Sequence, residues 1–411
     1  MYKLKIKKMS VIIFAVFQIL CFTACNGNSG IRVLNKGIGT PTEQVTTSQK
    51  AEPNEKYEAL NFDEQKAIWI SYIELADFLS GGDEKSFEQS FSNAVKNVKD
   101  SGFNTVYVHV RAFSDAYYKS DYYPKASVLS GTDFDPLQIM ITCAHEQNIS
   151  FHAWINPFRC MNESNMDSMD SSYKIKQWYD AGSGQVKSVS GNDNYWLDPS
   201  YDEVFELINN GVKEIIENYD VDGIHFDDYF FPTADESFDA AEFKASGEES
   251  LSDYRLGRIN NMVKGVYDTV KSANSSVLFG LSPQGNINND YESQFADVKR
   301  WCSEEGFCDY IAPQVYYGYE STCPYAETIS QWDEMCGDHI KLVIGLGEYK
   351  IVSEEEFIST KGIIANMIND AKKLQKYSGF AVYNYKNLFE PDDENSQRVM
   401  AEKELIEEAI K

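Results

Sequence analysis

Positive charge is scarce in this sequence. Its 411 residues carry 37 lysines and arginines against 64 aspartates and glutamates, a formal net charge of −27. A chain this acidic repels nucleic acid and anionic headgroups, which excludes functions that need a basic face. Histidine is also scarce, at five residues, and no H-x-H or H-E-x-x-H pair occurs. No C-x-x-C pair occurs either, which removes the usual structural zinc modules. The Gly-rich phosphate loop of an open doubly wound sheet is missing. The apolar stretch 11–22 falls short of a confident membrane span.

That stretch fits a different use. Lys3, Lys5, Lys7 and Lys8 precede it with no acid among them, as in the n-region of a signal peptide. It ends at Phe22-Thr23-Ala24-Cys25, which is similar to the lipobox of bacterial lipoproteins, with Phe22 where leucine is commoner. The expectation is a signal peptide over 1–24, cleavage before Cys25 and lipidation of Cys25. The chain would then be extracytoplasmic and anchored to the cell membrane. An ordinary signal peptide, with Cys25 incidental, is the plainer alternative. Residues 25–62 are rich in Gly, Ser, Thr, Asn, Pro and Lys and poor in large apolar side chains, a composition that reads as a flexible tether. Export permits disulfides, and Cys302 with Cys308 or Cys323 with Cys336 would close short loops; spacing does not choose between them. Cys143 reads as plain core.

Residues 63–411 show no linker-like break and read as one α/β domain. Strand-like apolar runs occupy 67–71, 105–110, 150–155, 223–227, 278–283, 310–316, 342–347 and 379–385. Helix-period stretches at 86–100, 136–147, 202–219, 251–272, 291–303 and 354–377 lie among them, and a last one covers 397–410. Short apolar strands separated by helices make parallel βαβ units, and eight strands are the count of a closed (β/α)8 TIM-type barrel. Loops at the carboxyl ends of such strands carry the chemistry. Two of them, 156–199 and 230–249, are long, and aromatics are dense near that side.

One stretch carries the most chemistry: Val221-Asp222-Gly223-Ile224-His225-Phe226-Asp227-Asp228-Tyr229-Phe230-Phe231-Pro232. An apolar strand ends there in two adjacent carboxylates ringed by aromatics, and such a pair is costly to desolvate. A barrel strand turns every second side chain inward. On the fourth strand this puts His225 and Asp227 inward, with Asp228 at the rim. On the second it gives Tyr107, His109 and Arg111. The third contributes His152, Trp154 and Asn156, and the sixth Gln314 and Tyr316. Neighbouring, partly buried carboxyls cannot both ionise freely, so one pKa rises and the other stays low. A raised carboxyl can protonate a leaving oxygen while an ionised one stabilises positive charge. Glu348, after the seventh strand, is a third catalytic candidate. Arg111 would hold a carboxylate ionised or bind a substrate anion. Glu74 and Asp115 are weaker candidates, and Asp222 reads as a turn residue.

These residues carry a resemblance. Asp222-Gly223-Ile224-His225-Phe226-Asp227-Asp228-Tyr229 resembles the signature of the glycosyl-hydrolase-like 10 family, the former domain of unknown function 187. Ala67-Ile68-Trp69-Ile70-Ser71, His109-Val110-Arg111, His152-Ala153-Trp154-Ile155-Asn156-Pro157 and Ala312-Pro313-Gln314-Val315-Tyr316 match as well. The resemblance implies a barrel similar to retaining glycosidases, on bacterial surface proteins often carried as lipoproteins. Some relatives are linked to peptidoglycan glycan strands. Its matching positions are His109, Arg111, Trp154, Asn156, His225, Asp227, Asp228 and Gln314. The fourth strand is also similar to a distorted chitinase motif, with His225 for its first inner acid and Tyr229 for its final glutamate.

The function expected is hydrolysis of a cell-wall or related N-acetylhexosamine-containing polysaccharide, with peptidoglycan glycan strands as partner and no cofactor or metal. Asp228 is proposed as general acid and Asp227 as nucleophile or stabiliser. His109, Arg111, His152, Asn156, His225 and Gln314 would position the sugar, while Trp154, Tyr229 and Tyr316 stack on its rings. Two alternatives stand beside it. One is a metal-dependent hydrolase or deacetylase using His109, His152, His225 and Asp227. The other is a carbohydrate-binding surface lipoprotein without turnover.

Overall fold

The computed structural model describes residues 57–411. Eight parallel strands close a barrel in chain order: Gln65–Ile70, Thr105–Arg111, Ser150–Ile155, Gly223–Phe226, Leu278–Leu281, Tyr310–Ile311, Lys341–Gly347 and Tyr377–Tyr383. The last pairs with the first through Gln65↔Gly379 to Ile68↔Val382. The sixth strand is much shorter than its apolar run, because Pro313 has no N–H to give the ladder. Gln314 then rejoins both neighbours through single bridges to Gln284 and Gly345. Helices such as Glu84–Asp100, Asp202–Asn218 and Leu251–Ala273 cover the outside. The expected helix 354–377 is two pieces, Glu355–Ser359 and Ile363–Ala371, broken where Gly362 takes a φ of 72°. None of the described helices is long and apolar enough to cross a membrane.

Outward residues of the strands, among them Val106, Val108, Ile224 and Phe226, pack against the helices. The barrel interior is a separate cluster that includes Trp69, Tyr107, Trp154 and Tyr310. Two imidazoles share that space. The Tyr310 hydroxyl lies 2.8 Å from Nδ1 of both His152 and His225. Trp69 Nε1–H donates to His225 Nε2 at 3.1 Å. This fixes the protons by elimination: His225 carries its own on Nδ1 and gives it to Tyr310, whose O–H goes to His152 Nδ1. Burial holds both rings neutral, pushing His152 down to about 4 and His225 well below its ordinary value.

At the opposite end the expected boundary of the tether moves. Residues 57–62 close the bottom of the barrel instead of leaving it. Tyr57 O–H and Leu60 N–H each donate to Asp222 Oδ1 at 2.6 Å, and Phe151 N–H donates to Oδ2 at 2.7 Å. Asp222 is therefore a fastening for the chain entry, beyond a turn residue. The leader, most of the tether and Cys25 lie outside the described residues. The six described cysteines are free. Cys308 Sγ meets the Trp301 carbonyl at 3.9 Å and Cys323 Sγ meets Thr328 Oγ1 at 3.3 Å, so neither short disulfide loop forms.

The interior leaves no slack around Tyr310. A Cβ on Gly280 of the fifth strand would fall 1.9 Å from its ring. Gly280→Ala is expected to lower unfolding free energy by about 2 kcal/mol or more, as overpacked cores do. Urea denaturation measures it, and an unchanged midpoint would contradict the packing described.

Candidate active site at the carboxyl end of the barrel

The carboxyl ends of the strands open into a cleft of about 330 Å³. Asp227 and Asp228 form part of its floor, directly after the fourth strand. Neither is committed to the fold. Asp227 is 3% exposed, and its one hydrogen bond is a long contact of 3.4 Å from Tyr229 N–H. Asp228 accepts no hydrogen bond short enough to anchor it, but the side-chain amides of Gln314, Gln294 and Gln284 face it. Burial raises both carboxyls, and the neighbours then separate them. Asp227 goes well up, through burial first and the adjacent Asp228 second, with the Trp154 indole and Arg159 opposing weakly. Asp228 is raised by burial but pulled back by its own backbone N–H first and by the three amides after it. Both carboxyls are raised, Asp227 the further of the two, which favours a proton on Asp227.

His109 tops the second strand and stacks on Trp154 with centroids 3.3 Å apart. Its Nε2–H donates to Asn156 Oδ1 at 3.1 Å, and its Nδ1 accepts Tyr72 N–H at 3.3 Å. Burial pushes its pKa down to about 3, so it is a neutral wall group and not a proton shuttle. Asn156, Trp154, Tyr229, Gln314 and Tyr316 line the cleft as expected. The Trp154 indole N–H is turned toward Asp227 but makes no hydrogen bond in the fold. Tyr316 packs against Tyr383 and Tyr349 with centroids at 5.9 and 6.1 Å, and Trp69 stands 6.2 Å from Tyr383. This continuous aromatic wall gives a sugar ring flat apolar faces.

Four expected site residues lie elsewhere. His152 and His225 belong to the Tyr310 network beneath the floor and do not line the cleft. Arg111 is displaced by a bulge: His109 pairs with Trp154, but Arg111 pairs with Ile155, so Val110 is skipped and the alternation inverts. Its guanidinium goes out to the helix layer, 4.1 Å over the Tyr123 ring. Glu348 starts a 3-10 turn and points away from the cleft; it is wholly buried, with neither oxygen hydrogen-bonded and Glu402 as its charged neighbour. Of the weaker acids, Glu74 is used in a capping box with Ser71, and Asp115 accepts from Ala112 N–H and Phe113 N–H. The histidine-based metal set does not assemble either. Both nitrogens of His109 and of His225 are already engaged. Among the described residues no group of three or more His, Cys, Asp or Glu is placed to hold an ion.

Sequence reasoning also passed over residues that line the cleft. Trp69, Ser71 and Tyr383 follow the same alternation on the first and eighth strands, and applying it there would have found them. Arg159 gave no such signal. It sits in the long loop after the third strand, on the short strand Arg159–Asn162 of a three-stranded antiparallel sheet folded within that loop. Its guanidinium is held between Phe113 and Tyr229, at 4.4 and 5.0 Å from their centroids, and its Nε has no hydrogen-bond partner. Among the described residues it is the one arginine or lysine lining the cleft.

A closed parallel barrel with two uncommitted carboxyls at its catalytic end, set in an aromatic cleft, is of the glycoside-hydrolase type. The glycoside hydrolase domain of PgaB (BpsB) from Bordetella bronchiseptica shares the fold, with a TM-score of 0.57 at 10% identity over 84% of this chain and 99% of that domain. Residues 64–359 match the Glycosyl hydrolase-like 10 family, and the chain belongs to it. Glycosyl hydrolase YngK of Bacillus subtilis (strain 168) is 31% identical over 319 residues, covering 70% of this chain and 61% of YngK. Glycosyl hydrolase DigH of Escherichia coli (strain K12) is 26% identical over 414 residues, covering 90% of this chain and 89% of DigH. The chain thus spans less than two thirds of YngK and most of DigH.

Glu348 provides a test of the local electrostatics away from the cleft. Burial, with Glu402 second, lifts its pKa from 4.5 to about 8. The folded protein then holds a proton that the unfolded chain has released, so the associated stability is whole below about pH 4.5 and is lost as pH rises to about 8. Glu348→Gln is expected to flatten that decline and to exceed the wild type at pH 9 by on the order of a few kcal/mol. Denaturant midpoints across pH measure this, and superimposable profiles would refute the placement of Glu348.

Proposed function

We propose that the protein hydrolyses glycosidic bonds in a cell-wall polysaccharide containing N-acetylhexosamine, with peptidoglycan glycan strands as its substrate. The observation that carries this reading is the unequal pair of carboxyls on the floor of a ring-walled cleft. Asp227 keeps the proton and gives it to the leaving glycosidic oxygen. Asp228 stays ionised and stabilises the oxocarbenium-like transition state or attacks it. An N-acetyl carbonyl on the sugar supplies a second nucleophile, as in substrate-assisted glycosidases. The free indole N–H of Trp154 stands beside Asp227, where it can meet a sugar or acyl oxygen. Arg159 brings the one positive charge among the described residues of the cleft lining, which favours a glycan carrying carboxylates, and peptide-free wall glycan is one. The names of YngK and DigH, both glycosyl hydrolases, agree with the reaction class. We place the enzyme outside the cytoplasm, on a lipid anchor at Cys25, from its leader and lipobox-like sequence.

The direct test is release of reducing ends from peptide-free peptidoglycan by the purified mature chain, beside a muramidase control. Asp227→Asn and Asp228→Asn should each lower kcat by roughly 10²–10⁴-fold with the fold intact by circular dichroism. Because Asp227 must be protonated, kcat/KM should fall on the alkaline side, as pH passes its raised pKa. Wild-type binding without any turnover, under conditions where the control works, would sink the hydrolase and leave a carbohydrate-binding protein.

A further inference from the structure

Three cysteines gather near the amino ends of the sixth and seventh strands, away from the cleft. Cys302 lies in the helix Val298–Ser303, Cys308 comes just before the sixth strand, and Cys336 caps the end of the helix Tyr325–Met335. All three are buried, and all three are free. Their backbones are not equally placed. The Cys302 carbonyl accepts Gly337 N–H at 2.8 Å. In a trans peptide that N–H lies on the same side as the preceding Cα, here the Cα of Cys336. A bond of this length therefore holds the two Cα atoms within about 6 Å, a span that a disulfide bridges without moving the backbone. A Cβ on Gly337 would fall 3.2 Å from the same carbonyl oxygen, so the two segments are in direct contact. Cys308 is turned elsewhere, with its Sγ 3.9 Å from the Trp301 carbonyl.

We propose that Cys302 and Cys336 are joined by a disulfide in the exported protein, a different pairing from either short loop that spacing suggests. The inference rests on the extracytoplasmic placement of the chain, since a reducing cytosol keeps thiols apart. Two Sγ–H bonds are lost and one Sγ–Sγ bond forms. The two electrons and two protons pass to a protein disulfide of the cell envelope, or to glutathione disulfide in vitro, whose S–S bond becomes two thiols. Burial lifts the Cys302 thiol well above its ordinary value, with Cys336 as the next cause, so the folded chain offers little thiolate to attack an oxidant. The bond therefore forms as the chain folds, before the helices close over it. It encloses a loop of about 35 residues that contains the sixth strand, and it removes freedom from the unfolded chain. It ties the end of one helix to the chain that enters the seventh strand, Lys341–Gly347. The floor carboxyls stand at the opposite end of the barrel.

Oxidative refolding decides it. The mature chain is reduced, unfolded and returned to native conditions in a glutathione redox buffer, and its peptides are mapped without reduction. The expected product is a linked Cys302–Cys336 peptide, with Cys143, Cys160, Cys308 and Cys323 alkylated as free thiols. The urea midpoint should be lower by on the order of 0.5–1 M when dithiothreitol is present throughout refolding. Cys308→Ala should keep both the link and that difference, whereas Cys336→Ala should give one midpoint under both conditions. A wild type that refolds with Cys302 and Cys336 both free, or with either linked to Cys308, overturns the proposal. The full-length chain, expressed with its leader, should carry the same link in the membrane fraction. Retention of that chain in the cytosol would sink the lipid-anchor reading, while the refolded protein still decides the pairing.

Discussion

The hydroxyl of Tyr310 is the point on which the catalytic end of the barrel depends. One oxygen satisfies two buried imidazoles, and a tryptophan N–H satisfies a further nitrogen of the second. Without those bonds the interior would hold polar rings with no solvent to serve them, at a cost no small barrel easily carries. With them it holds neutral, well-packed rings. Tyr107 stacks on His225 at 4.2 Å, and both rings are fully buried in a layer beneath the cleft floor. The carboxyls of that floor are desolvated from below, and desolvation is the first cause of the raised pKa at both Asp227 and Asp228. The acid chemistry thus begins with a neutral hydrogen-bond chain that takes no part in it.

Desolvation alone would raise both acids together, and two protonated carboxyls make a poor pair. The difference between them comes from the walls. Asp227 faces an indole, a tyrosine backbone N–H and a cation held partly away by its aromatic neighbours. Asp228 faces three amides delivered by the loops after the fifth and sixth strands. Those loops meet where Gln314 bridges to Gln284, beyond the end of the short sixth strand.

Much of this was legible in the sequence, and the failures have identifiable causes. Alternation along a strand placed His109, Trp154, Asn156 and Asp227 correctly, because regular strands obey it. It misplaced Arg111 because one bulged residue inverts every position after it, and no residue type announces a bulge at Val110. It placed His152 and His225 inside but said nothing about depth, and depth decides whether an inward residue meets substrate or meets the floor. Glu348 was misread because a strand end was assumed to continue into the cleft, whereas the chain turns at once into a 3-10 helix. Asp222 was undervalued because its partners, Tyr57 and Leu60, lie 165 and 162 residues away in a stretch whose composition resembles a tether.

The division between engaged and free polar groups also favours carboxyl chemistry over the histidine-centred reading. A metal ligand needs a lone pair, and His109 and His225 have spent theirs on Tyr72 N–H and Trp69 N–H. Releasing either would cost the hydrogen bonds that keep it neutral and in place. The floor carboxyls stand in the opposite condition. They are desolvated and close together, yet the protein gives them almost nothing beyond one long contact and three amides. The Trp154 indole and the Arg159 Nε beside them are unpaired as well. At the cleft the fold thus leaves two acids, an indole N–H and a guanidinium Nε with little or no partner of its own. A glycan bearing hydroxyls and a glycosidic oxygen meets those needs, and the aromatic wall accepts the apolar faces of its rings.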